Sequence, residues 1–395
     1  MRRLTVSPRN DWQARCEKVG LTYHTLATGS PYWDESGCWE FTVREIDRLE
    51  AATAEIQRLA LAAGDLILDQ DRLTQMGIPP AAVPAIRAAW NSEPPALYGR
   101  LDLAYDGTFI KLLEYNADTP TGLVEAAVAQ WYWLQDCFPD ADQFNSLHEK
   151  LIAKWKDLKD YVTNPVHFAD GGSEEDRMTV SYLRDTAQQA GLKTRHIAMH
   201  EIGWDAKRSR FVDLDNNVMN TLFKLYPWEW LLSEPFADHA LSTLPPASVL
   251  QQYGPRQDRR MWGSMLWIEP IWKMLWSNKA LLAILWELNP GHELLLPAYL
   301  DGPRELKSYV RKTLLGREGS GVTLIRDGVV VEGTLAGESA QGYVYQALAP
   351  MATAAEKVAV FGSWLVDGEP AGMGIRESLG LVTNNTSCFV PHLFR

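Results

Sequence analysis

Apolar and polar positions alternate along this chain with two periods. Thr42-Val-Arg-Glu45 opens a stretch of helical spacing that runs to about Leu68, which predicts a capping box followed by an amphipathic helix. Breaks follow at Pro79-Pro80 and at Glu93-Pro94-Pro95. Residues 97–105 and 109–116 then alternate with period 2 on either side of Asp106-Gly107, a common hairpin signal. Residues 122–137 and 143–161 read as helices.

The pattern changes between about 162 and 215. Val166-His-Phe-Ala reads as a strand, 174–190 as a helix ending at Gly191, and 194–199 as a second strand. This is a β-α-β unit and predicts an inserted α/β domain, with Pro245-Pro246 as a candidate linker. From about 308 onward short strand-like runs dominate, punctuated by the glycines of 316–321, by Asp327-Gly328 and by Asp367-Gly368.

The hairpin carries the most informative chemistry. Side chains two apart share a face of a strand. With the turn centred near Thr108, Asp102 falls opposite Glu114 and Arg100 opposite Asn116, all on one face. Two facing carboxylates repel unless positive charge lies between them. A divalent cation would supply it, with Asn116 adding a neutral oxygen, and Mg²⁺ is commonly held by one or two carboxylates while bridging phosphates. The other reading is a solvent-facing hairpin with a rim salt bridge at Arg100, since alternating polar faces are common in antiparallel sheets.

Lys312 lies in a strand-like run followed by Gly316-Arg-Glu-Gly-Ser-Gly321 and the apolar run 322–325. A strand, a glycine-rich turn and a returning strand can lay backbone N–H groups over a polyphosphate, with lysine as a point charge. Taken alone, the segment reads more plainly as an ordinary glycine-containing hairpin turn. The segment is neither a Walker A motif nor a dinucleotide fingerprint. Lys279 sits in an apolar helical context, where a solvated lysine is the plainer reading, and Arg376 ends a strand beside Glu377, a ready ion-pair partner. His196 and His200 have zinc-like spacing but lack the glutamate of the protease motif, and no G-x-S-x-G elbow occurs.

Composition narrows the class. The 395 residues suffice for two or three domains of roughly 100–200 residues. A net charge of −12 argues against nonspecific binding to nucleic acid or anionic membranes. The four cysteines, Cys16, Cys38, Cys137 and Cys388, form no C-x-x-C pair and fit a reducing cytoplasm. The N-terminus lacks the apolar core of a signal peptide, and no apolar run approaches the roughly 18 residues of a membrane span. Most of the 16 tryptophans are assigned to the core.

Eight segments in order resemble the synthetase part of the glutathionylspermidine synthase family and its stand-alone acid–amine ligase relatives: Tyr98-Gly-Arg-Leu-Asp102, Leu113-Glu-Tyr-Asn-Ala-Asp-Thr-Pro120, Phe223-Lys-Leu-Tyr-Pro-Trp-Glu229, Ser277-Asn-Lys-Ala-Leu281, Tyr309-Val-Arg-Lys312, Gly316-Arg-Glu-Gly319, Phe361-Gly-Ser-Trp364 and Gly374-Ile-Arg-Glu377. The resemblance runs from about residue 10 to the C-terminus. It implies an α/β (α+β) fold with an ATP-grasp-like core of permuted order and an inserted α/β domain similar to a pre-ATP-grasp domain. The expected division is 1–160 for the core with its metal-binding hairpin, 161–260 for the insert, and 261–395 for the lysines, flap and C-terminal strands.

By the same resemblance Asp102, Glu114 and Asn116 are the expected Mg²⁺ ligands, and Lys279 and Lys312 the ATP-phosphate lysines. Arg100 and Arg376 are expected near the reacting phosphoryl and acyl groups. Gly316, Gly319, Ser320 and Gly321 are expected in a flap over the triphosphate, and Tyr345, Gln346 and Ala347 at the adenine hinge. The implied reaction joins a carboxylate to an amine through an acylphosphate, releasing ADP and phosphate. Another amino-acid or peptide ligase specificity, or a catalytically silent nucleotide-binding protein, are the alternatives, and retention of every charged position argues against silence. The chain departs from its relatives at Thr313, where proline is common. It departs again at Cys388, where an ungapped comparison of the tail places a polyamine-binding acid. The latter argues against glutathione plus spermidine as the substrate pair. Oligomeric state is not legible in these features.

Overall fold

The computed structural model describes residues 1–245, 264–317, 319–333, 341–383 and 387–395. Of the expected Pro245-Pro246 linker, Pro246 lies outside these, as does Glu318 of the glycine loop.

The first long helix is Val43–Asp69, and its N-terminus carries the full capping box between Thr42 and Glu45. Ile46, Leu49, Ile56, Leu59, Ala63 and Ile67 recur at helical spacing and are buried. Each large apolar side chain removed from water contributes about 1.5–3 kcal/mol, and truncating a buried one such as Ile56 to alanine costs about 2–5 kcal/mol. This face packs on an antiparallel six-stranded sheet. Polar pairs fix how helix and sheet meet. The buried hydroxyls of Thr53 and Ser363 lie 2.6 Å apart, and Tyr115 donates its O–H to Gln57 Oε1 at 2.7 Å.

That sheet joins sequence-distant strands in the order Cys388–Val390, Glu369–Ser378, Lys357–Val366, Tyr98–Tyr105, Ile110–Asn116, with Ala352–Ala354 also paired to Lys357–Val366. Gly362 stands opposite Asp102, and a Cβ there would meet Arg100 Cδ at 3.0 Å. The glycine therefore makes room for the arginine to lie along the sheet.

The β-α-β unit forms as expected. Val166–Asp170 and Thr194–Ala198 are parallel, joined by the helix Glu174–Gln189 with Ser173 as its cap. Thr221–Leu225 and Leu266–Ile268 complete a four-stranded parallel sheet, so this layer takes in residues beyond position 260. A five-stranded antiparallel sheet follows the order Ala298–Tyr299, Tyr343–Ala347, Tyr309–Thr313, Val322–Arg326, Val329–Glu332. The helix expected over 122–137 contains a π-helical turn, Glu125–Ala129, and the one over 143–161 narrows to Leu147–Asp157.

Trp33, Trp133, Trp155, Trp228, Trp276 and Trp364 are among the largest fully buried side chains, whereas Trp131 and Trp230 are exposed. All four cysteines are free thiols. Among the described residues no helix is long and apolar enough to cross a membrane.

Candidate active site

The hairpin pairs Arg100 with Asn116 and Asp102 with Glu114. Its turn is centred half a residue before Thr108, between Tyr105 and Ile110, with Asp106 Oδ1 accepting from the N–H groups of Thr108 and Phe109 at 2.8 and 2.7 Å. A β-bulge restores the register: Leu103 pairs with Leu112, which leaves Leu113 as the extra residue. The bulge turns Leu113 from the expected apolar face into a cavity of about 850 Å³ and frees its carbonyl, which accepts from Lys312 Nζ at 2.8 Å. Every residue of Tyr98–Tyr105 is buried, so the rim-hairpin reading does not hold.

Around the two carboxylates the charges interlock. Arg100 donates from Nε and Nη2 to Asp102 at 2.7 and 3.2 Å, and Arg376 Nη2 reaches Asp102 Oδ2 at 2.7 Å. Arg376 is thus no surface partner of Glu377. Lys279 Nζ, at the start of the helix Ala280–Leu288, lies 3.3 Å from Glu114 Oε2 and donates to Gly316 O at 2.5 Å, so it is half-buried and paired and not a freely solvated lysine. Burial alone would raise the Glu114 carboxyl, but Lys279 and Lys312, aided by Asn116, pull it well below the usual carboxylate range. Burial and the neighbouring Lys279 bring Lys312 down to about 8, against the opposing pull of Glu114.

The donor set suits a hard cation. Asn116 Nδ2 lies 3.3 Å from Asp102 Oδ2 and 3.1 Å from Glu114 Oε1, so a positively polarised group already sits between the two acids. Turned over, the same amide would offer its oxygen to an ion at that point.

The glycine loop borders the same cavity through Gly316, Gly319 and Ser320. Its glycines are required locally. A Cβ at Gly316 would meet Thr313 Oγ1 at 2.1 Å, and Gly321, at φ +69°, would meet Thr313 Cγ2 at 2.6 Å. The obstruction is therefore Thr313, the residue that replaces proline, and it acts before any ligand does. Gly321 and Tyr345 do not line the cavity. Tyr345 is on the far face of its strand, its ring 5.8 Å from that of Tyr309. Gln346 lines it but is spoken for, accepting from Lys312 Nζ at 2.8 Å and donating to Leu112 O at 2.9 Å. It positions the lysine, while Ala347 and the following Leu348 and Ala349 are left to border the cavity.

Several cavity residues carry no signal that sequence reasoning used. Arg317 donates from Nη2 to the hydroxyl of Thr119, and its guanidinium lies 3.7 Å from Glu229 Oε1 and 5.8 Å from the Trp230 ring, joining the loop to the four-stranded-sheet layer. It lies inside the Gly316-Arg-Glu-Gly319 segment, whose glycine spacing carries no signal for the arginine. Glu175 and Asp176 also line the cavity, and burial raises Asp176 to about 6. Acids in a first helical turn complement the helix dipole wherever they occur, so their spacing carries no mark of a cavity. Beneath them Lys224 Nζ, fully buried, donates to Asp118 Oδ1 at 2.7 Å, and Asp118 accepts from Trp228 N at 3.0 Å. That pair ties the residues after the hairpin to those after Thr221–Leu225.

With this geometry in place, comparison with known proteins is direct. The family described as glutathionylspermidine synthase preATP-grasp matches residues 3–395. The chain belongs to this family. A Haemophilus influenzae protein named "putative acid–amine ligase" is 38% identical over 419 residues, 100% of each chain. Trypanothione synthetase of Crithidia fasciculata is 28% identical over 83% of this chain and 52% of its own length. Bifunctional glutathionylspermidine synthetase/amidase of Escherichia coli is 28% identical over 86% of this chain and 56% of its own. The chain thus spans about half the length of these last two relatives. The named relatives are ligases or synthetases, and this chain is a ligase.

Within the glutathionylspermidine synthase family the tail of this chain needs one correction. Cys388 pairs with Glu377, on the face of the sheet turned away from the cavity, while Ser387 and Phe389 line it. Its thiol is buried beside Lys357 Nζ at 3.6 Å. An acid at position 388 would therefore not reach the cavity, and the argument against spermidine drawn from Cys388 loses its ground.

Proposed function

We propose that this ligase joins a carboxylate to an amine at the cavity bounded by the hairpin, Lys279, Lys312 and the glycine loop, using ATP and Mg²⁺ on an ATP-grasp-like scaffold. The observation that supports it best is the convergence of Asp102 and Glu114 with two lysines and two arginines, drawn from both ends of the chain, around one cavity.

The first step has the substrate carboxylate attack the γ-phosphorus of ATP, which brings anions together. Lys279 and Lys312 hold phosphate oxygens, and Gln346 with the Leu113 carbonyl keeps the Lys312 ammonium aimed. Asp102, Glu114 and Asn116 would hold Mg²⁺, which when bound neutralises phosphate charge. Arg376 and Arg100, both anchored on Asp102, stabilise the charge that develops on the transferring phosphoryl group and at the acyl carbon. The loop from Gly316 to Gly321, latched by Arg317, keeps water from the acylphosphate.

A peptide carboxylate and a cationic amine are the substrate classes the relatives' names suggest. Glu175, Asp176 and Glu229 give the cavity acidic groups that suit such an amine. Four free thiols fit a cytoplasmic setting. The test is phosphate release from ATP over a panel of carboxylates and amines, with hydroxylamine present to trap acylphosphate as hydroxamate. Neither carboxylate-dependent phosphate release nor hydroxamate across the panel would sink the ligase reading and favour a silent nucleotide-binding protein.

A further inference from the structure

Glu125 is a buried ionisable group that the mechanism above leaves idle. It is 1% exposed, and among the described residues neither carboxyl oxygen has a hydrogen-bond partner. It opens the π-helical turn Glu125–Ala129, a distortion that recurs at functional sites. The groups acting on it come from four elements: Glu175 at the start of Glu174–Gln189, Tyr32 from the segment before Gly37–Phe41, Arg100 from the hairpin, and Cys16 from Trp12–Lys18. Burial first and Glu175 second push its carboxyl up to about 7, and Tyr32 and Arg100 offset this only in part. The Tyr32 hydroxyl donates to Glu175 Oε1 at 3.4 Å and reaches toward Glu125 without closing a bond. Tyr32 and Glu175 both line the cavity.

An orphaned carboxyl at this depth costs stability, and nothing in the packing demands it. The second half of the ligase reaction does demand a proton acceptor. A primary amine arrives as R–NH₃⁺, without the lone pair that must attack. The phosphate end of the cavity, lined by Lys279 and Lys312, is cationic and repels an incoming ammonium, whereas the end lined by Glu175 attracts it. Glu114 at the phosphate end and Glu175 at the acidic end both act on the Arg100 charge.

We propose that Glu175, Tyr32 and Glu125 form a proton-accepting relay for the attacking amine, with Glu175 touching the amine and Glu125 holding the proton beneath it. The inference rests on the ligase reading. One ammonium proton passes to the Glu175 carboxylate; the Tyr32 O–H then gives its own proton to the Glu125 carboxylate and takes the one on Glu175, which returns Glu175 to its ionised form. Burial holds the Tyr32 hydroxyl well above its usual range, so it exchanges protons and is not left as phenolate. The freed lone pair forms the C–N bond at the acyl carbon. The C–O bond to phosphate breaks, phosphate leaves with that electron pair, and the second N–H proton leaves with the phosphate. Glu175 is the catalytic residue; Tyr32 and Glu125 are positioning residues that act through it.

Hydroxylamine, uncharged at neutral pH, separates this step from the rest. ATP-dependent product formation is measured with glutathione, glutamate and acetate as carboxylates. Each is paired with hydroxylamine or with the cationic amines spermidine, cadaverine and ethanolamine, from pH 5.5 to 8.5. Wild-type amide formation with the cationic amines should rise with pH through about 7. In Glu175→Gln and Glu125→Gln the ratio of the cationic-amine rate to the hydroxylamine rate should fall by about 10²-fold, the usual contribution of a positioned base. Tyr32→Phe, which changes no charge, should move the ratio the same way and guards against misfolding of the glutamine variants. A ratio that holds in all three variants overturns the relay, as does a wild type that makes hydroxamate but no amide. If the wild type makes neither, it is the ligase reading that has failed.

Discussion

The strand Glu369–Ser378 carries an ion network on each face, and the two are built differently. On the outer face Glu377 accepts from Arg3 at 2.7 and 3.0 Å and from the Trp39 indole at 2.9 Å, while Lys357 lies 3.0 Å from Asp34. Two cations meet two carboxylates, and burial pushes the Cys388 thiol up, so it adds no charge. Asp34, Glu377 and Cys388 lie close enough to hold a metal, but Arg3 and Lys357 already fill that role. On the inner face Arg376 shares Asp102 with Arg100, Glu114 is held by a lysine 3.3 Å away, and Glu125 has no hydrogen-bond partner among the described residues. The sealed network is satisfied within the fold. The cavity network is satisfied only in part, which is what a site that must accept phosphate, metal and amine requires.

The difference predicts which property each substitution breaks. Glu114→Gln should cause the largest loss, removing Mg²⁺-dependent turnover while the protein still folds. Normal turnover across a Mg²⁺ titration would show that the hairpin acids are not the ligands. Glu377→Ala, one residue from the cavity face, should instead cost about 1–3 kcal/mol of stability, because it leaves the half-buried Arg3 and the buried Trp39 N–H without their acceptor. Denaturant melts read the loss, and activity per folded molecule should stay within about threefold, under about 1 kcal/mol of barrier.

Arg376→Ala inverts that pattern. Melting and ATP affinity should hold, since Arg100 still neutralises Asp102, whereas turnover should fall about 10²–10³-fold. Arg376→Lys keeps the charge but loses the fork and should also be impaired. Turnover within about threefold for the alanine variant would make Arg376 a structural ion pair like its outer-face neighbour.

Glu125 sharpens the contrast through pH. Its folded carboxyl titrates near 7 against 4.5 for the free group, so the folded state binds more protons than the unfolded chain between those values. Stability therefore falls as pH rises through that window, and the cost is complete above about 7. At pH 8 it amounts to about 3 kcal/mol. Glu125→Gln should be nearly neutral for stability at pH 4.5 and stabilising by up to about 3 kcal/mol at pH 8. Parallel melting curves at both pH values, with no difference between them, would show that the carboxyl is not held neutral.

Much of this arrangement is legible in residues that obey a local period. The capping box at Thr42 and Glu45, the alternation across Asp102 and Glu114, and the parallel strands flanking 174–189 each follow from spacing alone. What is not legible depends on register between distant segments. No period-2 pattern has a slot for the extra Leu113, yet that bulge is what presents a carbonyl to Lys312. Acids 174–176 serve the helix dipole and the cavity together, and the sequence shows only the first use. Tyr345 and Gln346 are adjacent, so at most one can face the ligand, and which one is decided by pairing with Tyr309–Thr313.

The smallest expected effect tests the sharpest of these failures, the face on which Cys388 lies. In the three-residue strand Cys388–Val390 a shift of one position exchanges the cavity face for the outer one. The thiol bonds weakly, donating to Glu377 O at 3.7 Å, so Cys388→Ser should change stability by under about 1 kcal/mol. Cys388→Asp is more telling. On the outer face the new carboxylate would join Asp34 and Glu377 against the same two cations, lowering stability without altering the cavity. Steady-state kinetics with glutathione and spermidine should then show a KM for spermidine within about twofold of wild type, an energy of under about 1 kcal/mol. A KM that drops tenfold or more would mean that position 388 does reach the amine. It would also mean that the strand sits one residue from where it is placed, so that the two faces of the tail exchange roles.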